Sequence, residues 1–365
     1  HFHSDGGSFT YLEHAFKNKN VAGIGGWLLI AGYVGTMALY SYTFGAYGNA
    51  MLGSTNNWIQ NILASVVLLI FLGINLYGVK AAGSTEDLIV LVKVLILSFF
   101  SIAGFFYVNS DHLLPVFNQG FSNVLMGAAL IFVAYEGFEL IPNAVNEMKD
   151  PKKNLGKGIV YSIIITVVIY ILVSFVAVGN LTSAEINKYN EYALAVAAKP
   201  FLGQAGFFLI GLGAILSTAS AINATLFGTA RLTMVMAQEK DLPKIFSFKE
   251  RTKEIPYVSL LTITGVTIIF VNISNLAIIS SFASSTFLLI FIFINLSALK
   301  LHKVLGIKRY IPILGFSLAL LSWIVLIVYL SKTNFTSFVY LGSFYVVIIL
   351  MELIFSKRNV FKKKL

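Results

Sequence analysis

The chain has 365 residues, 57% of them hydrophobic and 12% charged, and a mean hydropathy of +0.83. It cannot cover itself with polar surface as a soluble domain of roughly 25% charged residues does. The formal net charge of +10 raises nucleic acid as a partner, but the basic residues sit almost entirely in loops between apolar runs, so no nucleic-acid surface is expected. Cysteine is absent, which excludes a disulfide framework and thiolate metal ligands and leaves the redox compartment open.

The stretch from His1 to Asn20 lacks the apolar core of a signal peptide, and with no initiating Met the chain reads as beginning inside a gene product. Beyond it, runs long enough to cross a hydrocarbon core of about 30 Å recur through the whole length. They lie roughly at 21–48, 57–78, 86–108, 122–147, 158–179, 204–234, 257–272, 276–298, 310–330 and 335–356. The fold class this predicts is all-α: a polytopic membrane helix bundle of ten spans, forming one domain over 1–365 with a basic cytoplasmic tail at 357–365. The seventh run is short, which suits a tilted or thinly seated helix.

Taken in chain order, the first span carries Tyr33, Tyr40, Phe44 and Tyr47 on one helical face, a stripe that serves packing, an interfacial belt or a substrate wall. In the third, DLIVLVKVLILSFF places Lys93 well inside the membrane. An ionisable group in a span is costly and is a functional hypothesis by default. Such a lysine is stabilised by losing its proton or by pairing with hydroxyls and carbonyls of neighbouring helices; the alternative is that it snorkels to the interface.

The fourth span, SNVLMGAALIFVAYEGFELIPNAVNEMKDP, is interrupted by Glu136, Gly137, Glu139 and Pro142. Gly137 tolerates non-helical backbone and Pro142 cannot continue the hydrogen-bond ladder. Broken helices at the midplane are where transporters hold substrate, the alternative being a simple proline kink with its acids packed against partners. The sixth span sets Ser217, Ser220, Ala224 and Gly228 at helical spacing. Small residues in one stripe commonly pack helices closely, and Ser217, Thr218 and Ser220 are also hydroxyls available to a cation or to the Lys93 ammonium. Ser280, Ser281, Ser284 and Ser285 in the eighth span give a weaker signal of the same kind.

The 26 Lys and Arg test the span count. Lys188, Lys199 and Lys332 lie on one side, Lys93 and Arg231 lie within spans, and all the others fall on the side that holds both termini. By the positive-inside rule both termini are expected in the cytoplasm, in an integral protein of the cytoplasmic (plasma) membrane.

Two blocks resemble a known family. FVAYEGFELIPNAVNEMKDPKKNLGKGI looks like the sixth helix of permeases in the amino acid, polyamine and organocation superfamily. LAVAAKPFLGQAGFFLIGLGAILSTASAINATLFGTARLTMVMAQEKDLPKIF resembles their eighth helix with its flanking segments. The similarity covers essentially the whole chain and is closest to prokaryotic proton-coupled amino acid permeases. It implies two inverted five-helix repeats plus two further helices, with the ten spans here corresponding to helices three to twelve and the first two helices absent. It also implies an amino acid substrate, a proton as coupling ion, a lipid bilayer as surroundings and no cofactor. Tyr135, Glu136 and Gly137 fall on the unwound segment that faces substrate. Lys93 falls on the lysine that replaces a sodium ion in proton-coupled members, Ser217 falls on the hydroxyl beside it, and Val133 stands where some members have an aromatic gate.

A sodium-coupled or exchanging permease of the same fold is the nearest alternative, although the Lys93 ammonium competes with sodium for the same oxygens. A receptor or scaffold is another. An intramembrane enzyme would use positioned acids, bases or metal ligands, yet His1, His3, His14, His112 and His302 all fall in loops and no span carries a metal-ligand pair at i, i+4.

Overall fold

The computed structural model describes residues 7–78, 83–115, 120–250 and 255–355. The loop cations Lys80, Arg251 and Lys253, the histidines at 1 and 3, and the basic tail at 357–365 lie outside the described residues. Each apolar run forms a helix where one is predicted: α2 (Lys19–Met51), α3 (Asn57–Tyr77), α4 (Gly83–Phe105), α5 (Phe121–Leu130), α6 (Pro151–Asn180), α9 (Lys199–Gln238), α10 (Tyr257–Ile273), α11 (Leu276–Lys300), α13 (Tyr310–Thr333) and α14 (Phe335–Phe355). Short helices precede and join them: α1 (Gly7–Ala15), α7 (Ser183–Tyr189), α8 (Ala193–Ala197) and α12 (His302–Leu305). α5 continues directly into a 3-10 helix over Ile131–Glu147.

Local chemistry sets many of the ends. The Asn56 side chain accepts a hydrogen bond from the Trp58 N–H at 3.0 Å, and Gly78 takes the left-handed conformation (φ 74°) that stops α3. α6 begins seven residues before the predicted span because Pro151, pre-set for the first helical turn, starts it in the polar region, and the basic turn that follows stays helical there. α9 is likewise longer than its apolar run and kinks at Gly203, whose φ of 61° no side chain adopts easily.

α2 is the centre of the bundle, packed against α3, α9, α10 and α11. Its glycines permit this: a Cβ added at Gly32 would fall 2.9 Å from the Phe287 ring of α11, so the two helices approach at van der Waals contact only because none is there. α6 and α13 lie at the periphery and present Ile164, Ile165, Val168 and Leu318 outward, which suits lipid and would be a liability in water.

Polar bonds tie helices together at discrete points. Asn75 of α3 donates to Asn223 of α9 at 2.9 Å, Asn272 of α10 donates to Ser65 of α3 at 2.9 Å, and Asn180 of α6 donates to the Gly104 carbonyl of α4 at 3.1 Å. Each such bond contributes on the order of 0.6 kcal/mol within a membrane.

α1 has no counterpart among the predicted elements, being too short and too polar to register as a span. Its Phe9 and Leu12, one turn apart, are buried against α2 and α11, and the helix also meets the 3-10 segment.

Candidate functional site

The 3-10 segment gives the molecule its least ordinary feature, since runs beyond three or four residues are uncommon and a long one inside a helix often marks a functional hinge. With three residues per turn, every third side chain falls in line. Val133, Glu136, Glu139, Pro142 and Val145 accordingly form one buried stripe, while Ile131, Ala134 and Gly137 line up on the exposed side. Both carboxylates therefore point into protein.

Ser284 of α11 explains where the change of helix begins. Its hydroxyl donates to the Leu130 carbonyl at 2.5 Å and accepts from the Val133 N–H at 3.1 Å. A side chain thus takes the carbonyl at the end of α5 and an amide at the start of the tighter helix, two groups that an unbroken α-helix would satisfy internally. On the opposite flank the Tyr170 hydroxyl of α6 donates to the Ala134 carbonyl at 2.9 Å. The predicted break is present as a tightened helix held by two neighbours.

Glu136 is 1% exposed, and one of its oxygens accepts from the Thr36 hydroxyl of α2 at 2.8 Å; the other is buried with no hydrogen-bond partner. Glu139 is buried one 3-10 turn further on, within hydrogen-bonding reach of Ser8 at the start of α1. On α1, burial first and the charge of Glu139 second push the Tyr11 hydroxyl up to about 12, so it stays protonated at any physiological pH.

The other face of the segment borders a cavity of about 220 Å³ shared with α2 and α6. Tyr40, Tyr135, Gly137, Phe138, Thr166 and Tyr170 contribute to its wall. The Tyr135 and Tyr170 rings meet edge to face with centroids 5.1 Å apart, and Phe138 stacks on Phe291 of α11 at 5.3 Å. Nothing lies within 4 Å of where a Cβ on Gly137 would stand, so the backbone there is open to whatever enters. The walls offer aromatic faces, the hydroxyls of Ser162 and Thr166, and accessible backbone. A small molecule with both apolar and polar parts suits that lining.

Of the candidates from sequence, Tyr135 and Gly137 come together at this cavity, whereas Glu136 turns away from it toward Thr36. Lys93 of α4 meets α9 at a separate point, where the Ser220 hydroxyl comes within its reach. Lys93 is half-buried, with its ammonium 3.5 Å from the Ser220 hydroxyl, at the outer limit of a hydrogen bond. Ser217 is half-buried almost one turn before Ser220, and the Thr218 hydroxyl donates within its own helix to the Ala214 and Ile215 carbonyls at 2.9 and 3.1 Å. The aromatic stripe of the first span divides: Tyr40 lines the cavity, Tyr33 packs on Phe287 at 5.5 Å, and Tyr47 is buried in a core shared with α4 and α9.

Thr36, Tyr170 and Ser8 are not singled out by sequence, and Ser284 only weakly. The three-residue spacing of Val133, Glu136, Glu139, Pro142 and Val145 was the available signal for the stripe. Tyr170 stands alone in an apolar run with nothing to mark it.

Residues 1–354 match the family described as amino acid permease. The chain is 32% identical over 356 residues to an uncharacterized protein of Methanocaldococcus jannaschii, covering 97% of this chain and 81% of that protein. It is 28% identical over 284 residues to the inner membrane transport protein YbaT of Escherichia coli (76% of this chain, 64% of that one). To the methylthioribose transporter of Bacillus subtilis it is 29% identical over 291 residues, covering 74% of this chain and 62% of the relative. The chain thus spans less than two thirds of the length of these last two.

Proposed function

The chain belongs to the amino acid permease family, and on that premise we propose that it is the transport domain of a secondary carrier that moves amino acids across the cytoplasmic membrane through the cavity at Gly137. The carrying observation is that cavity: it lies against a tightened stretch of helix, is walled by Tyr40, Tyr135 and Tyr170, and meets open backbone at Gly137. Backbone at such a break is available to the amino and carboxyl groups that all amino acids share, while the aromatic rings suit an apolar side chain. In this reading Tyr135 and Gly137 contact substrate and Glu136 acts from behind, through its bond to Thr36, to fix the segment against α2.

Coupling is assigned to a proton carried by Lys93. A carrier driven by protons needs a group whose charge differs between its two conformations, because the proton biases the equilibrium only through its differential affinity for them. When protonated, Lys93 ties α4 to the Ser220 hydroxyl of α9, 3.5 Å away, with Ser217 almost one turn before it; deprotonation releases the tie. Both termini lie in the cytoplasm, a placement supported by the distribution of Lys and Arg among the loops.

Uptake of labelled amino acids by the full-length protein in proteoliposomes, with and without an imposed pH gradient, tests both parts. The expected result is accumulation that follows the gradient in the parent and loses its pH dependence in Lys93→Ala. Absence of uptake of every amino acid offered removes the transport reading, and an unchanged pH profile in Lys93→Ala removes the coupling role.

A further inference from the structure

A second cavity, of about 370 Å³, lies among α10, α11, α13 and α14, away from the 3-10 segment. Ser274, which ends α10, and Ser337, in the first turn of α14, set its depth: it sits at the end of the bundle where α10 and α13 finish and α11 and α14 start. Its rim is open, with Ile273 and Tyr340 largely exposed, and its floor is closed by Leu330 and Leu341, both nearly inaccessible. Phe270, Phe282 and Phe344 form most of the remaining wall.

One polar group stands out within it. Ser337 is 5% exposed, and its hydroxyl is buried without a hydrogen-bond partner. Its backbone N–H is already used, donating to the Asn334 side chain at 3.1 Å, so the first turn of α14 is capped while the hydroxyl is left over. Ser281, by contrast, spends its hydroxyl on the Ala277 carbonyl at 2.7 Å. A buried hydroxyl is costly to leave unpaired, and native structures seldom do so without a reason. Water is a poor occupant, because each molecule needs two to four polar partners and seven of the eleven lining residues are Phe, Ile or Leu.

We infer that this cavity is a lipid site that holds an acyl chain between α10, α11, α13 and α14 and presents the Ser337 hydroxyl to the carbonyl or carboxylate oxygen at the head of that chain. The volume lies within the range of small-molecule sites, and the lining is largely apolar, with Ser337 holding a buried, unpaired hydroxyl beside a few other polar side chains (Ser274, Ser281 and Tyr340), the pattern of an amphipathic ligand. The first turn of a helix favours the negative end of such a ligand through its aligned peptide dipoles. The depth agrees, since the cavity opens beside the helix ends, where lipid headgroups meet hydrocarbon. A free fatty acid and the ester of a membrane phospholipid present the same chemistry here.

Two photoreactive probes test the site in the purified protein in lipid nanodiscs: an 18-carbon fatty acid with a mid-chain diazirine, and a phosphatidylcholine carrying the same acyl chain. Labelled residues are mapped by peptide mass spectrometry. Labelling of Phe282, Leu341 or Phe344 is expected to exceed that of the lipid-facing Ile269 by about tenfold, to be displaced by oleate and not by octadecane, and to fall about tenfold in Ser337→Ala. Ile278→Trp, which fills the cavity, abolishes it with the melting temperature unchanged. Labelling by the free acid alone identifies a fatty acid site, and labelling by the phospholipid probe identifies a membrane-lipid site; either supports the assignment. Labelling no stronger than at Ile269, equal displacement by octadecane, or indifference to Ser337→Ala overturns it.

Discussion

Ser284→Ala removes the hydroxyl that joins α11 to the start of the 3-10 segment. Ser284 is fully buried, and its oxygen serves two backbone groups at once, the Leu130 carbonyl at 2.5 Å and the Val133 N–H at 3.1 Å. Each backbone group left unpaired in a buried site costs about 1 to 3 kcal/mol. The hole left by one oxygen is smaller than the roughly 30 Å³ share of a water molecule, so solvent does not replace it. Allowing for partial relaxation of one of the two, the loss is about 2 to 4 kcal/mol of local stability, equivalent to roughly 30- to 1000-fold faster amide exchange at Val133 if the segment opens independently. Hydrogen exchange measured by mass spectrometry on the protein in nanodiscs reads this directly, with Ser284→Thr, which keeps the hydroxyl, as the comparison. Exchange over residues 131–135 that is unchanged in Ser284→Ala would show that the helix is tightened by something other than this bond.

Gly137→Leu places a side chain where the cavity is open, and it is expected to abolish amino acid binding by the full-length protein, measured by scintillation proximity, with membrane insertion and yield unchanged. A reporter fused after Leu365 and a tag inserted in the loop between Asn109 and Gly120 are expected on opposite sides of the membrane by protease protection; finding both on one side would break the span count. The Glu185 carboxylate accepts from the Thr182 backbone N–H at 2.9 Å and hydroxyl at 2.8 Å, which hold it below its ordinary value of 4.5. A lowered value in the folded state means that this capping contribution is complete above the ordinary value and is lost as pH falls through the lowered one, so exchange protection factors in α7 should drop at acid pH in the parent and not in Glu185→Gln.

The helices were legible because membrane spanning imposes a length and an apolar content that few other constraints disturb, and because ends such as Asn56 and Gly78 carry their own stop signals. α1 escaped because two large buried apolar side chains, Phe9 and Leu12, are enough to dock a short helix against a bundle that already exists. In the fourth span the interruption was visible in Gly137 and Pro142, but its form depends on partners far along the chain. Thr36 is a hundred residues from Glu136, and Ser284 is more than that from Leu130. No local pattern reports such distant bonds. The same holds for Lys93, whose contact with the Ser220 hydroxyl depends on how α4 and α9 cross.

The 17 residues of the 3-10 segment have a mechanical consequence. At about 2.0 Å of rise per residue against 1.5 Å for an α-helix, rewinding the whole segment would shorten it by about 8 Å. The same change replaces a three-residue repeat with one of 3.6, so each successive member of the line from Val133 to Val145 would rotate by roughly 60° relative to the last. Val133 and Pro142, three steps apart, would come to lie on opposite faces, so the stripe could not keep facing protein along its whole length, and Gly137 would be drawn along the axis past Tyr40 and Tyr170. The segment is therefore a screw in which pitch and facing are coupled, and Thr36, Ser284 and Tyr170 are among the points at which it is gripped.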